Sequence, residues 1–331
     1  MDSAGTTIKN VDQIERLVRM ADGAKNGLGL APNVSQHSLN RLAWFDDEDL
    51  VDLFDSYPRE RLRVWQSGGN LRSYTDWEPV DTTGVTGREM LECLYKGSLW
   101  FNFQRIDLVD ERYRRVSERL YDEIAQECRD FSVEFIHSYL LVSSPRAMVY
   151  LHIDAYENLL FVIRGGKIFY LYPAAERRMV PLETLEDICA GSEDFFEYRS
   201  EFEQWARVFT LEPGQFLSWP QHSPHRTRNN DELSVCLGTF HGTPAGIRRA
   251  EQLAADRFFR LNAPSLPFAR SLGRMLDAKR FGYRVIRKLR GEAKIPKEPV
   301  FARARLSASA PTGVIRIEGD PVVPEFARLA Q

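Results

Sequence analysis

Cysteine is scarce and scattered. Cys93, Cys128, Cys189 and Cys236 are the only four in 331 residues, and no two form a CxxC pair. This spacing excludes a zinc ribbon and gives no sign of a disulfide framework, since both need closely spaced or regularly paired thiols. The thiols are expected to be reduced and mostly buried, as in a cytoplasmic protein. Long apolar runs are missing as well. No stretch approaches the roughly 18 apolar residues of a membrane span. Met1 to Asn33 is polar and lacks the apolar core of a secretory signal. The net charge is only −3, so bulk electrostatics point to neither a nucleic-acid nor a membrane partner. Internal repeats and low-complexity tracts are absent.

What is present is an ordinary globular composition, 43% hydrophobic and 27% charged, enough for one large or two modest cores. Residues 1–36 have weak periodicity apart from a short helix expected over Val11 to Met20, and they read as an arm free to move. Residues 37–134 read as helices and strands flanking a core. An amphipathic helix is expected from Leu39 to Phe54, started by the acidic run Asp46 to Asp49, because carboxylates favour the positive helix N-terminus. A second is expected from Glu111 to Cys128, where Tyr113, Val116, Leu120 and Ile124 recur at steps of three and four. Leu62 to Trp65 and Leu99 to Phe103 have the aromatic, branched character of strands.

Over residues 135–243 the pattern changes to short strands: Ser138 to Val142, Met148 to Asp154, Asn158 to Ile163, Lys167 to Tyr172, Val208 to Leu211, Gln215 to Trp219 and Leu233 to Phe240. Turn signals such as Gly165-Gly166 and Pro213-Gly214 separate them, as in an antiparallel sandwich or barrel. A helical insertion is expected near Leu182 to Ala206. Residues 244–331 turn helical, from Ile247 to Leu261, and then basic, with twelve Lys or Arg against three acids between Arg270 and Arg305. Such a run is most simply a solvated or packing helix, and its few aromatics make it a poor stacking platform for nucleic acid.

The chain has six histidines, and three of them fall in two short segments. In Tyr150-Leu151-His152-Ile153-Asp154, residues two apart on a strand share a face, so His152 and Asp154 can grip one metal ion. A third ligand can come from Pro220-Gln221-His222-Ser223-Pro224-His225, which holds two candidates. Two His and one carboxylate on one face leave open positions, as in non-haem iron(II) oxygenases.

His152 to Pro173, with Pro213 to Asn229, resembles the JmjC family of cupin-like 2-oxoglutarate oxygenases. The likeness is to the branch containing the asparaginyl hydroxylase factor inhibiting HIF, and to bacterial cupin-like proteins. The resemblance implies a mainly β fold with flanking helices around a double-stranded β-helix, or jelly-roll, core. It also implies iron(II) and 2-oxoglutarate, with hydroxylation of an amino-acid side chain in a protein or peptide. In that family the distal iron histidine follows a strand-initiating Gly by eleven residues, which from Gly214 selects His225 over His222. The cation for the far carboxylate of 2-oxoglutarate lies fifteen residues after the first iron histidine, which is Lys167; Arg164 is the weaker substitute. Asn158 matches an Asn of the family on the metal face. Where the branch has a cosubstrate-binding Thr this sequence has Val149, so Tyr139 or Thr239 is expected to supply that hydrogen bond. Where the branch has an Asn on the last strand this sequence has Gly238, which widens the pocket. The resemblance leaves open a small-metabolite substrate. From a different class, a non-catalytic cupin-like metal-binding or regulatory protein is the alternative. The C-terminal helices, with Leu253, Phe258, Phe259 and Leu261, are expected to pair two copies as a homodimer.

Overall fold

A computed structural model describes residues 8–68, 76–191, 196–263, 275–290 and 300–328. Its strands are β1 (Val18–Arg19), β2 (Asn33–His37), β3 (Leu62–Gln66), β4 (Glu78–Asp81), β5 (Leu99–Gln104), β6 (Phe135–Ser143), β7 (Met148–His152), β8 (Glu157–Arg164), β9 (Lys167–Leu171), β10 (Arg207–Leu211), β11 (Gln215–Ser218), β12 (His225–Asn229), β13 (Ser234–Gly242), β14 (Ala304–Leu306) and β15 (Val314–Arg316). The helices are α1 (Asp22–Lys25), α2 (Asp47–Ser56), α3 (Gly87–Lys96), α4 (Ile106–Val109), α5 (Glu111–Glu127), α6 (Leu182–Cys189), α7 (Pro244–Asn262), α8 (Met275–Arg290) and α9 (Glu325–Arg328).

The strands form two sheets. The large one runs β1-β2-β11-β8-β13-β6-β5-β3-β4-β14-β15 and the small one β10-β9-β12-β7. The expected mainly β jelly-roll with flanking helices is therefore the observed architecture. Alternation explains how one strand serves two layers. In β5, Leu99, Phe101 and Phe103 bury on the outer face, while Trp100, Asn102 and Gln104 line a cavity on the inner face. The outer face is covered by α2, α3 and α5, whose Phe54, Leu94, Tyr113 and Leu120 join Phe101, Phe103, Val142 and Phe161 in the largest apolar cluster. Each such fully buried side chain contributes about 1.5–3 kcal/mol. Between the sheets, Leu160, Val162 and Leu217 meet Phe169, Leu171 and Leu211. The outside of the small sheet is closed by α6 and its neighbours, where Leu185, Ile188 and Phe202 pack with Leu151 and Tyr172. The helix expected from the acidic run begins at Asp47, with the side chain of Asp46 accepting from the Asp49 N–H at 3.0 Å.

Two expectations need correction. Ile8 to His37 is not a free arm: β2 pairs with β11, and Ile8, Ile14, Leu17 and Val18 are buried in the largest cluster. The helix expected there is a short 3-10 turn, Val11–Gln13, followed by β1. Its apolar residues bury as predicted, but the backbone amides of Leu17 and Val18 donate to Glu123 of α5, at 2.7 and 2.9 Å, in place of helical carbonyls. The strand β12 went unseen because one face turns His225 and Thr227 to the cavity and the other carries Arg226 and Arg228, which leaves no apolar alternation to read.

Several described cations of the basic C-terminal stretch are paired within the chain. Lys279 is buried against Asp256 at 2.7 Å, Arg284 reaches Glu251 at 2.7 Å, and Arg305 reaches Asp81 at 2.8 Å. Residues 270–274 and 291–299 of that stretch lie outside the described residues. Of the residues expected to pair two copies, Phe258 packs on Tyr283 of α8 and Leu253 packs against the cluster beneath α6, whereas Leu261 is exposed.

Candidate metal centre and its cavity

His152 ends β7 and His225 begins β12, and the two are directly opposite in the register of the small sheet. Their rings lie 4.2 Å apart between centroids. Asp154 follows two residues beyond His152, and its Oδ2 lies 3.4 Å from His225 Nε2. One ligand atom from each of His152, Asp154 and His225 lies within 4.8 Å of the others, the only such group among the described residues. The structure thus brings together the three residues chosen from sequence.

The hydrogen bonds around the ligands prepare them for a cation. His152 Nδ1 faces the Tyr150 carbonyl at 2.9 Å and His225 Nδ1 faces the Ser223 carbonyl at 3.1 Å. Donation from each Nδ1–H leaves both Nε2 lone pairs available. Burial, reinforced by the neighbouring His152, holds the His225 pKa well below its ordinary value, so the ring is neutral. Phe169 stacks on it at 5.2 Å and Trp219 lies tilted against it at 5.0 Å, which fixes its plane. Asn158 Nδ2 donates to Asp154 Oδ2, so this amide orients the carboxylate ligand. Two imidazoles and one carboxylate suit a divalent transition metal such as iron(II), and leave the cavity side open.

His222 lies apart from this group. It has φ of 64°, its Nε2 is 3.1 Å from the Ala155 carbonyl and 3.4 Å from Cys189 Sγ, and burial lowers its pKa to about 4.

The ligands open onto a cavity of about 430 Å³ that runs between the sheets. Lys167 lies on its wall, 6% exposed, with Nζ donating to Asn229 Oδ1. Asn229 is itself held by Ser143 Oγ and the Ser144 carbonyl, both at 2.8 Å. Burial lowers the Lys167 pKa, and among the described residues that line the cavity the one carboxylate is that of Asp154. Arg164 is turned away onto Asp47 at 2.6 Å and Tyr95 at 2.8 Å, outside the cavity. Tyr139 does line the cavity, with its ring edge-on to Phe240 at 5.0 Å.

Thr239 does not line it. On β13 the cavity face carries Gly238 and Phe240, so Thr239 points the opposite way and bonds Tyr121 at 2.7 Å. One position along a strand reverses the face. Gly238, directly across from Tyr139, lines the cavity, and a Cβ there would meet Leu141 Cδ1 at 3.5 Å, an ordinary contact. Several wall residues were not anticipated: Thr227, Asn102, Arg63 and the aromatic group Trp65, Trp77, Trp100 and Tyr150. For β3 and β5 the alternation of Arg63, Trp65 and of Trp100, Asn102, Gln104 was a usable signal.

Residues 107–245 match the family described as the Cupin-like domain. The matched stretch is similar to that domain. It holds all three candidate ligands and Lys167, while the Trp65, Trp77 and Trp100 wall is supplied by the segment before it. No curated protein matches the sequence. Among solved structures, the chain is similar to Escherichia coli ycfD, with 13% identity and a TM-score of 0.47, over 84% of this chain and 70% of that one. The ribosomal oxygenase YcfD from Escherichia coli in complex with cobalt and 2-oxoglutarate is also similar, with 13% identity and a TM-score of 0.45, over 84% and 69%. The DMSP lyase DddQ from Ruegeria pomeroyi matches over 33% of this chain and 39% of that one, with 17% identity and a TM-score of 0.22.

Proposed function

We propose that this protein is an iron(II)- and 2-oxoglutarate-dependent oxygenase that hydroxylates an amino-acid side chain of a protein or peptide. The observation that carries the reading is a pairing within one cavity. A three-ligand face lies at one wall, and a buried ammonium, Lys167, lies on another with a neutral amide as partner. A metal-binding cupin with no organic anion has no need of that ammonium. A dicarboxylate needs a metal-chelating end and a fixed cation for its far end, and Lys167 suits that task as a compact point charge.

When bound, iron(II) and 2-oxoglutarate supply the oxidative chemistry: dioxygen and the keto acid are consumed, carbon dioxide and succinate are released, and one oxygen atom enters a substrate C–H bond. His152, Asp154 and His225 hold the metal on one face. Asn158 keeps Asp154 oriented, and Lys167 takes the far carboxylate. Tyr139, which lines the cavity, would add a hydrogen bond to the cosubstrate, in the role first shared with Thr239. Leu160, Phe169 and Trp219 keep water from the space between.

The direct test is anaerobic titration of the purified protein with iron(II) and then 2-oxoglutarate, following the visible charge-transfer band of the chelate. A saturable band is expected. Iron binding without any band on adding 2-oxoglutarate would refute the oxygenase reading and favour the metal-binding one.

Four free thiols fit a reducing compartment, and the cytoplasm is our placement. No helix among the described residues is long and apolar enough to cross a membrane. The homodimer also remains a proposal, with a changed surface: α8 exposes Phe281, Val285 and Leu289 one turn apart. Light scattering at micromolar concentration should then show twice the chain mass, and a monomer would exclude it.

A further inference from the structure

The connection from β11 to β12, through Pro220, Gln221, His222, Ser223 and Pro224, is buried from Gln221 onwards. The Ser223 N–H donates to the Pro220 carbonyl at 3.1 Å, which closes a four-residue turn. His222, the third residue of that turn, has φ of 64°. A turn with positive φ at this position usually places Gly or Asn there. A larger residue persists in that conformation only where its surroundings hold it.

Gln221 supplies much of the hold. Its side chain is buried, and Nε2 donates to the Ala155 carbonyl at 2.8 Å and to the Gly246 carbonyl of α7 at 3.1 Å, while Oε1 accepts from Arg249 Nη1 at 3.3 Å. His222 Nε2 faces the same Ala155 carbonyl at 3.1 Å, so one backbone oxygen meets two side chains of this turn. Ala155 directly follows Asp154, and Gln221 stands four residues before His225. One buried amide therefore ties the segment that carries Asp154 to the segment that carries His225, and both to α7. The turn also presents the Ser223 carbonyl to His225 Nδ1 at 3.1 Å, which selects the nitrogen that keeps its proton. The next carbonyl, that of Pro224, accepts from the Tyr172 N–H at 2.9 Å and seats the turn just beyond β9. Across this junction Asp154 Oδ2 and His225 Nε2 stand 3.4 Å apart.

We infer that Gln221 is a positioning residue for the metal centre: its amide fixes the spacing of the two ligand-bearing segments, and with it the shape of the three-ligand face. This inference rests on the metal-centre reading above. Gln221 is not itself among the residues that line the cavity, so it acts through Asp154 and His225.

The test titrates the full, metal-free chain with cobalt(II) at pH 8 and follows the visible bands of the bound metal, with thermal stability of the metal-free protein measured in parallel. Band position and intensity report how the ligands are arranged. The native protein should bind one cobalt(II) per chain. Gln221→Met keeps the length of the side chain and removes its three bonds; it should bind about tenfold more weakly, the scale for groups that orient metal ligands, and with altered bands. Gln221→Glu keeps the shape and the Arg249 bond but, as a carboxylate, cannot donate to Ala155 or Gly246. It should alter the bands too, and it decides the question if Gln221→Met does not fold. Leu120→Ala, in the apolar cluster on the outer face of the large sheet, should lower stability through a cavity and leave affinity and bands native. Native bands in the Gln221 variants, or an equal change in Leu120→Ala, would overturn the inference while leaving the metal centre standing. Failure of the native protein to bind cobalt(II) would overturn the metal-centre reading and this inference with it.

Discussion

Replacing Lys167 with Met keeps the length and most of the volume of the side chain and removes its charge. In the folded protein this ammonium is buried, with Asn229 Oδ1 as its partner, and burial already lowers its pKa. The native protein therefore carries a desolvation cost that a dicarboxylate would relieve. Two consequences follow with different signs. Affinity for 2-oxoglutarate should fall, because a charged hydrogen bond contributes about 1.5–3 kcal/mol, equivalent to roughly a ten- to hundred-fold rise in Kd. Stability should change little: Asn229 Oδ1 loses its donor, at about 1 kcal/mol, while a buried charge disappears. Lys167→Arg should restore affinity only in part, since a planar fork does not fit a point-charge site. The pH dependence has a definite sign. The neutral amine cannot pair with the carboxylate, so affinity in the native protein should fall as pH rises through the lowered lysine pKa, and Lys167→Met should lack that fall. The assay is 2-oxoglutarate titration with metal content checked in parallel. Unchanged affinity at full metal content would refute the reasoning, and a large loss of stability would show that Lys167 serves the fold instead.

His225→Ala should abolish stoichiometric iron(II) binding while His222→Ala retains it, measured by metal analysis after gel filtration; the reverse result would overturn the ligand assignment. Asn158→Ala should weaken metal binding by about ten- to hundred-fold, because Asp154 loses its orienting donor, and isothermal titration with manganese(II) reads this directly. Acid should destabilise the metal-free protein well before its carboxylates titrate. Burial lowers His37 and His222 to about 4 and His241 to about 3, so below pH 6.5 the unfolded chain takes up protons that the folded chain refuses. Stability is then full above pH 6.5 and declines towards pH 4, by about 1 kcal/mol per histidine between pH 7 and 5.5. Urea midpoints that stay level across that range would contradict the burial of these rings.

Much of the site was legible in the chain itself because strand periodicity is local. Two residues apart in extended chain means one face, so His152 at the end of β7 and Asp154 just beyond it were expected to point together, and the Gly165-Gly166 turn placed Lys167 at the start of the returning strand. Choosing His225 over His222 needed the family register, and tertiary structure explains the choice: His222 is directed towards the Ala155 carbonyl and Cys189. Thr239 was misplaced because facing is settled by register against β6 and β8, and a single step along β13 exchanges the cavity for the α5 side. Residues 1–36 looked free because their apolar groups follow no single period; the described part of them, from Ile8 on, is held by β11 and by Glu123, more than a hundred residues from Leu17. The amino-acid sequence by itself determined the types of the candidate ligands and the spacing of His152 and Asp154, since these depend on residues a few positions apart. Only the tertiary structure decided which aromatics and amides from β3 to β5 share the cavity with the metal, because that depends on how distant strands pair, and no local pattern encodes it.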